Sequence, residues 1–236
     1  MTTDTDDIRA RFGPGMARQL ERLREARAAG MPRLGWKVGI NVPEIQQRLG
    51  IPHAAVGWLD GRHVVESGDT LVAPVEAKLQ VEPEIAIRLG RALPAGAGAE
   101  EARDAIAGVQ LALEIVDYAR PTTGLDDLVA HCMFHEATVL GPSIPRDAVA
   151  DLGRDRPRLR AGEVEAEPPR AELVPSDPGE LLRFVADFLG EFGEGLEAGD
   201  LVLSGAYVAK ALPIAPGEGA AADYGSLGTV SVRVAR

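Results

Sequence analysis

Val81-Glu82-Pro83-Glu84-Ile85-Ala86-Ile87-Arg88-Leu89 is the stretch on which the reading of this chain turns. Val81, Ile85 and Ile87 favour a β-strand, and a strand sends alternate side chains to one face. Glu82 and Glu84 would then point the same way, as two like charges that repel unless they face open water or share a cation. A second apolar run, Leu111-Ala112-Leu113-Glu114-Ile115-Val116, carries a lone Glu114 among aliphatic residues. An unpaired carboxylate buried there would be costly. Three carboxylates on two short strands suit Mg2+ or Mn2+, hard cations that take oxygen ligands. A solvated strand face with one edge glutamate fits the same residues, and residue chemistry alone leaves both readings open.

At 236 residues the chain makes one large domain or two small ones. Its 45% hydrophobic and 26% charged content is that of an ordinary soluble globular protein. A formal net charge of −11 argues against a nucleic-acid backbone or an anionic membrane surface as partner. Anionic substrates stay open, because a bound divalent metal reverses the local sign. Cys132 is the single cysteine, so no intrachain disulfide forms and a reducing compartment is favoured. The start, MTTDTDDIRA, has neither a basic segment nor an apolar one of secretory type. No apolar run approaches the roughly 18–20 residues of a membrane span, and the expected location is the cytoplasm.

Along the chain, the residues to about Arg11 read as a polar, mobile start, followed by a helix over Gly15–Ala29. Leu34–Ile40 reads as a short strand, and Pro43 and Gly50 bracket a second helix. Loops and short strands are expected from Pro52 to Leu71. A helix over Glu100–Ala107, a strand over Val109–Asp117, a helix over Leu125–Ala130 and a strand through His131–Gly141 follow. Residues 144–175, rich in Pro, Arg and Glu, predict a peripheral hairpin near Arg158–Glu165. Asp177-Pro178 opens an amphipathic helix, with Leu181, Leu182, Val185, Phe188, Leu189 and Phe192 as its apolar residues, that ends around Gly193. Short strands and turns fill the C-terminal third, ending where Val230, Val232 and Val234 alternate. Together these predict a β-rich α+β domain with helices outside. Cys132 reads as a buried structural thiol.

Several motifs, taken in order, resemble a known family. They are Gly35-Trp36-Lys37-Val38-Gly39 with Pro43-Glu44-Ile45-Gln46-Gln47-Arg48-Leu49-Gly50, Val81–Ala86, and Ala112–Asp117. Gly199-Asp200-Leu201-Val202-Leu203-Ser204-Gly205, Pro216-Gly217 and Leu227-Gly228-Thr229-Val230 close the series. The resemblance is to the 2-keto-4-pentenoate hydratases of the fumarylacetoacetate hydrolase superfamily. It runs from about Gly35 to Arg236, leaving residues 1–33 as an N-terminal helical arm and 34–236 as a single catalytic domain.

The resemblance implies an α+β fold with a mixed, rolled β-sheet barrel core and peripheral helices, assembled as a homodimer or larger homo-oligomer. It implies Mg2+ or Mn2+ held by Glu82, Glu84 and Glu114. Lys37 would polarise the substrate or relay a proton, and Ser204 and Gly205 would bind the substrate carboxylate. The implied activity is hydration of a 2-hydroxy-dienoate or 2-oxo-enoate, in aromatic catabolism, through an enolate that the metal stabilises. A 2-oxo acid decarboxylase, C–C lyase or tautomerase on the same metal site is the alternative. A non-catalytic subunit partnering a decarboxylase is another. Many of these hydratases carry Ala-Asp-Asn-Ala-Ser where this chain has Ala130-His131-Cys132-Met133-Phe134 and then His135. Some relatives share the Phe-His pair, so His135 becomes a candidate acid or base. The Gly-Thr-Pro turn of the hydrolases proper is absent from Ser204-Gly205-Ala206-Tyr207, which favours hydration or decarboxylation over C–C hydrolysis. A dicarboxylate substrate would want a further cation, for which Arg62 and Arg120 are candidates.

Overall fold

Strand pairing in the protein starts from the opening stretch and spreads to both sides of it. The structure is a computed structural model and describes residues 5–151, 157–167, 171–173, 177–208 and 210–236. In chain order the first half comprises α1 (Thr5–Ala28), β1 (Arg33–Gly39), α2 (Pro43–Leu49), β2 (Ala55–Asp60), β3 (Val64–Glu66), β4 (Thr70–Val72) and β5 (Leu79–Leu89). Next come α3 (Ala99–Asp104), β6 (Ile106–Asp117), α4 (Leu125–Ala130), β7 (His135–Ile144), β8 (Arg158–Ala161) and β9 (Val164–Glu165). The chain closes with α5 (Pro178–Gly190), β10 (Leu201–Leu203), β11 (Leu212–Pro213), β12 (Gly219–Asp223) and β13 (Thr229–Ala235).

The main sheet runs β2-β1-β10-β5-β6-β7-β3, with β11 also paired to β5. A second sheet runs β4-β13-β12-β8-β9. The main sheet mixes parallel pairs (β1 with β10, β3 with β7) and antiparallel ones. It is curled. Lys37 on β1 and Glu114 on β6, three strands apart, meet across β10 and β5, with Lys37 Nζ 2.5 Å from Glu114 Oε1. The fold is the mixed α+β, rolled-sheet type that the resemblance implies.

Two local features make the roll possible. At Gly35, φ is +138° and a Cβ would fall 2.0 Å from the Leu201 carbonyl oxygen, so only glycine lets β1 lie this close to β10. Pro83 sits inside a central strand, where a missing N–H would normally break the ladder. Here β10 pairs with Ala86–Arg88 and β11 with Gln80 and Val81, leaving Pro83 in the gap between them. Its carbonyl accepts from Tyr207 N at 3.2 Å on that gap side. Amide and carbonyl of one strand residue point the same way, so the proline nitrogen also faces the gap.

The two faces of the main sheet carry different cores. A large cluster that includes Val81, Ile85, Ile87, Leu111, Leu113 and Ile115 packs under the helices and the second sheet. A small one, Leu59, Ala86, Ala112, Leu140, Leu201 and Leu203, shares the other face with the glutamates. Helix α5 has Asp177 as N-cap, its side chain accepting from Gly179 N at 2.8 Å, and buries Leu182, Val185, Phe188 and Leu189. The expected hairpin forms as β8 and β9; parts of 144–175, namely 152–156, 168–170 and 174–175, lie outside the described residues, as do residues 1–4, 176 and 209.

The chain start differs from the sequence expectation. Helix α1 begins at Thr5, not near Gly15, and Ile8, Phe12 and Met16 are fully buried. With Leu20 and Leu23 they form one helical stripe that charged neighbours and Gly13-Pro14-Gly15 disguise in the sequence. Phe12 meets Phe188 of α5 edge to face, ring centroids 5.3 Å apart. Buried Gln19 donates to the carbonyls of Val56 and Val129 at 3.1 and 2.7 Å, tying α1 to β2 and α4. Replacing Phe12 by Ala is expected to cost about 3–4 kcal/mol in urea unfolding. A loss below about 0.5 kcal/mol, the size of an ordinary surface substitution, would mean that the first turns of α1 do not belong to the core.

Candidate metal centre

Register brings the three glutamates together. On β5 and β6, Glu82 lies directly opposite Glu114, and Glu84 follows on the same face two residues on. One carboxylate oxygen from each falls within 4.8 Å of the others. Glu84 and Glu114 are fully buried, whereas Glu82 keeps partial contact with solvent through a cavity of about 390 Å³.

Each carboxylate is steered by named donors. Lys37 Nζ and His135 Nδ1 both approach Glu114 Oε1, at 2.5 and 2.8 Å. Gly205 N donates to Glu84 Oε2 at 2.8 Å. That leaves Glu84 Oε1 and Glu114 Oε2 buried without a partner, a state that natural proteins avoid. With all three carboxylates ionised, one ammonium would leave two negative charges, which one divalent cation would neutralise. The all-oxygen donor set and the two orphaned oxygens fit a hard cation such as Mg2+ or Mn2+.

Protonation follows the same geometry. Burial pushes Glu82 up, the Glu114 charge adds to this, and Lys37 offsets only part, so its carboxyl rises from 4.5 to about 7. Glu84 is held well above the ordinary carboxylate range, by burial first and by the Glu114 charge second. Burial would also raise Glu114, but Lys37 and the His135 hydrogen bond outweigh it and hold this carboxyl below its usual value. Burial works against the Lys37 ammonium, and the charges of Glu114, Glu84 and Glu82 overcome it and raise its pKa. Glu114 is thus the ionised member, with Lys37 as its counter-ion.

The remaining candidates fall as follows. His135 starts β7 and touches the site only through Glu114; its Nε2 is buried without a partner. Ser204 Oγ accepts from Ile85 N at 3.1 Å, so Ser204 and Gly205 hold β5 and Glu84, and neither lines the cavity. Gly205 has φ +88° and a Cβ there would meet Asn41 Nδ2 at 2.9 Å, which explains the glycine. Residues 131–134 form a turn, not the strand expected through His131. Cys132, Met133 and Phe134 all have positive φ, a left-handed run that is strained for residues with a Cβ. The turn seats Met133 on Gly39 and Gly57, and sets the Phe134 ring against Tyr118 at a centroid distance of 5.1 Å. Cys132 is buried and its thiol is pushed up to about 12, chiefly by burial, as befits a structural thiol.

Arg62 and Arg120 do not reach the cavity: each pairs with a nearby acid, Asp60 and Glu136 respectively. Sequence reasoning missed Arg48, Tyr118 and Lys210, which do line it. One signal pointed to Lys210, since lysine occurs only at positions 37, 78 and 210.

A model of the fumarylacetoacetate (FAA) hydrolase C-terminal family matches residues 36–235. The chain is 28% identical to a 4-oxalocrotonate decarboxylase of Pseudomonas sp over 209 residues, 86% of this chain and 78% of the relative. It is 26% identical to a 2-hydroxyhexa-2,4-dienoate hydratase of Comamonas testosteroni over 219 residues, 91% of this chain and 83% of the relative. Among solved structures, 4-oxalocrotonate decarboxylase from Pseudomonas putida G7, complexed with magnesium and adipate, superposes with a TM-score of 0.81 at 22% identity. That match covers 92% of this chain and 83% of the other. Fumarylpyruvate hydrolase from Pseudomonas aeruginosa, in complex with Mn2+ and pyruvate, gives 0.63 at 18% identity, covering 87% and 90%. No helix among the described residues is long and apolar enough to cross a membrane.

The raised carboxyls make the metal-free protein sensitive to pH. Unfolded Glu82 loses its proton near 4.5 and folded Glu82 near 7, so its contribution is favourable in acid and is lost as pH rises between them. Glu114 works oppositely: held low, it contributes above its ordinary value and loses this as pH falls. In EDTA, Glu82→Gln is therefore expected to be more stable than wild type at pH 7.5, by up to about 3 kcal/mol, and no more stable at pH 4. Equal thermal stability of the two proteins at pH 7.5 would contradict the clustered charges.

Proposed function

The chain belongs to the fumarylacetoacetate (FAA) hydrolase family, and on that premise we propose that it is a divalent-metal-dependent enzyme acting on 2-oxo acids. The reaction we favour is hydration of a 2-hydroxy-dienoate or 2-oxo-enoate. The observation that carries the metal dependence is the pair of orphaned carboxylate oxygens among Glu82, Glu84 and Glu114, beside a cavity reached by Lys37. Relatives named as hydratases support the reaction class. Decarboxylation of a 2-oxo-enedioate is the second reading, supported by the decarboxylase among both the sequence and the structural relatives.

When bound, Mg2+ or Mn2+ supplies Lewis acidity toward the adjacent oxygens of a 2-oxo acid. The chain's own residues divide the remaining work. Lys37 is 2% exposed and carries its proton at Nζ, held there by three glutamates, so it acts as a fixed positive charge and donor and not as a base. It faces the cavity at the buried end, where negative charge would develop on the 2-oxo oxygen as water adds at C4 of the conjugated enone and the π electrons shift toward that oxygen. His135 serves as a positioning residue: an ionised Glu114 accepts only, so His135 donates from Nδ1 and fixes that carboxylate's rotamer. Gly205 and Ser204 do the same for Glu84 and for β5, a role that replaces direct substrate binding in this proposal. Val116, Met133 and Phe134 give the cavity an apolar wall, which limits water and strengthens the electrostatics within.

An ultraviolet assay with 2-hydroxypenta-2,4-dienoate and with 2-oxo-3-hexenedioate tests this. Turnover of at least one is expected with Mg2+, lost in EDTA and restored by added metal. Lys37→Met is expected to lower kcat by roughly 100-fold or more while the protein still binds Mn2+. Absence of metal-dependent turnover of either compound would leave a non-catalytic subunit as the better reading.

A further inference from the structure

The strand face that carries the glutamates continues past them along β5 and β6. Gln80 precedes Glu82 by two residues, and Val116 and Tyr118 follow Glu114 at the same spacing, so alternation keeps them on one face. Gln80, Glu82, Val116 and Tyr118 all line the cavity. Val116 lies opposite Gln80, which makes Gln80 and Tyr118 diagonal neighbours, a separation that long side chains span. One step along a strand face is about 7 Å, so this polar pair begins one rung beyond the carboxylates. Tyr118 is anchored everywhere except at its hydroxyl. Its amide donates to the Lys78 carbonyl at 3.1 Å, and Asp117 Oδ1 accepts from the amides of Lys78 and Ala119 at 2.8 and 2.9 Å. Its ring meets Phe134 edge to face. Among the described residues, neither the Tyr118 hydroxyl nor the Gln80 carboxamide has a hydrogen-bond partner. Burial first, and then the charges of Glu82 and Glu114, raise the phenol above its ordinary value, so it stays protonated.

We propose that Gln80 and Tyr118 hold the water that adds to the substrate, and are therefore catalytic residues of the hydration. This rests on the hydration reading above. With the 2-oxo group held at Lys37 and the glutamates, C4 of a 2-oxo-3-enoate is the second carbon beyond the oxo carbon. The Gln80–Tyr118 pair stands one rung beyond that head group, on the same wall of the cavity. A held water makes roughly two to four hydrogen bonds; the Gln80 carbonyl and the Tyr118 oxygen supply two acceptors for it. As the water oxygen bonds to C4, the C3=C4 π pair moves between C2 and C3, and the 2-oxo oxygen takes up the charge beside Lys37. The water gives one proton to the Tyr118 oxygen while the phenol, 48% exposed, passes its own to solvent. C3 then takes a proton from solvent and the 2-oxo group re-forms. One water is consumed and no net proton is gained or lost. Decarboxylation adds no water to carbon and would leave the pair without a task.

Turnover of 2-hydroxypenta-2,4-dienoate by the Mg2+-loaded protein, followed by proton NMR and corrected for the rate without protein, yields two separate rates. One is ketonisation to the 2-oxo-3-enoate, and the other is hydration to the 4-hydroxy-2-oxo acid. Only hydration needs the held water. Tyr118→Phe keeps the ring on Phe134 and removes the hydroxyl alone, and Gln80→Leu removes the carboxamide. Each is expected to lower hydration about tenfold or more relative to ketonisation, with Mn2+ binding by calorimetry retained. A role in packing alone would leave that ratio where it is. An unchanged ratio in either variant, whether or not both rates fall together, would overturn the pair and leave the hydration reading standing. Wild type that forms no 4-hydroxy-2-oxo acid would overturn the hydration reading and the pair with it.

Discussion

Glu82 opposite Glu114 on neighbouring strands, with Glu84 beside them, is the constraint around which this molecule is arranged. Like charges facing one another across a ladder oppose pairing, and burial deepens the penalty. What surrounds them is compensation. On the curled main sheet Lys37 of β1 reaches Glu114 of β6, and His135 donates to the same oxygen. The break between β10 and β11 delivers the Gly205 amide to Glu84. These donors satisfy one oxygen each on Glu84 and Glu114 and leave the other unmet. A site built only for stability would replace such a cluster by apolar residues; keeping it makes sense where a cation completes it.

The same curl builds the working space. Gly35 lets β1 close on β10, Gly39 and Gly57 make room for Met133, and the left-handed turn at Cys132–Phe134 presents an apolar wall. Strain of this kind persists only where surrounding packing over-determines it. Here the packing is explicit: Met133 against two glycines and Phe134 against Tyr118. Helix α2, with none of its residues buried, then carries Arg48 to the rim of the cavity. Floor, wall and mouth thus come from three separate parts of the chain.

Much of this was legible in the sequence where the signal is local. Alternation in Val81–Leu89 and the apolar run around Glu114 marked both strands, and the family that the motifs resemble implied the rolled fold. Pairing register was not legible, because which residue of β6 faces Glu82 depends on a distant segment. The start of α1 was misread because Ile8 and Phe12 are spaced among charges and followed by Gly13-Pro14-Gly15, a local pattern overridden by docking on α5. The turn at 131–134 was misread for a related reason. Nothing in His131-Cys132-Met133-Phe134 announces positive φ, which usually calls for glycine or asparagine. Arg48 and Lys210 lie 162 positions apart in the sequence, and only the fold puts them on one cavity.

Titration of Mn2+ into the metal-free protein by isothermal calorimetry bears most directly on the central claim. The account predicts one ion per chain in wild type and a loss of most of that affinity in Glu82→Gln. Equal affinity in the two proteins, or no binding in wild type, would contradict it.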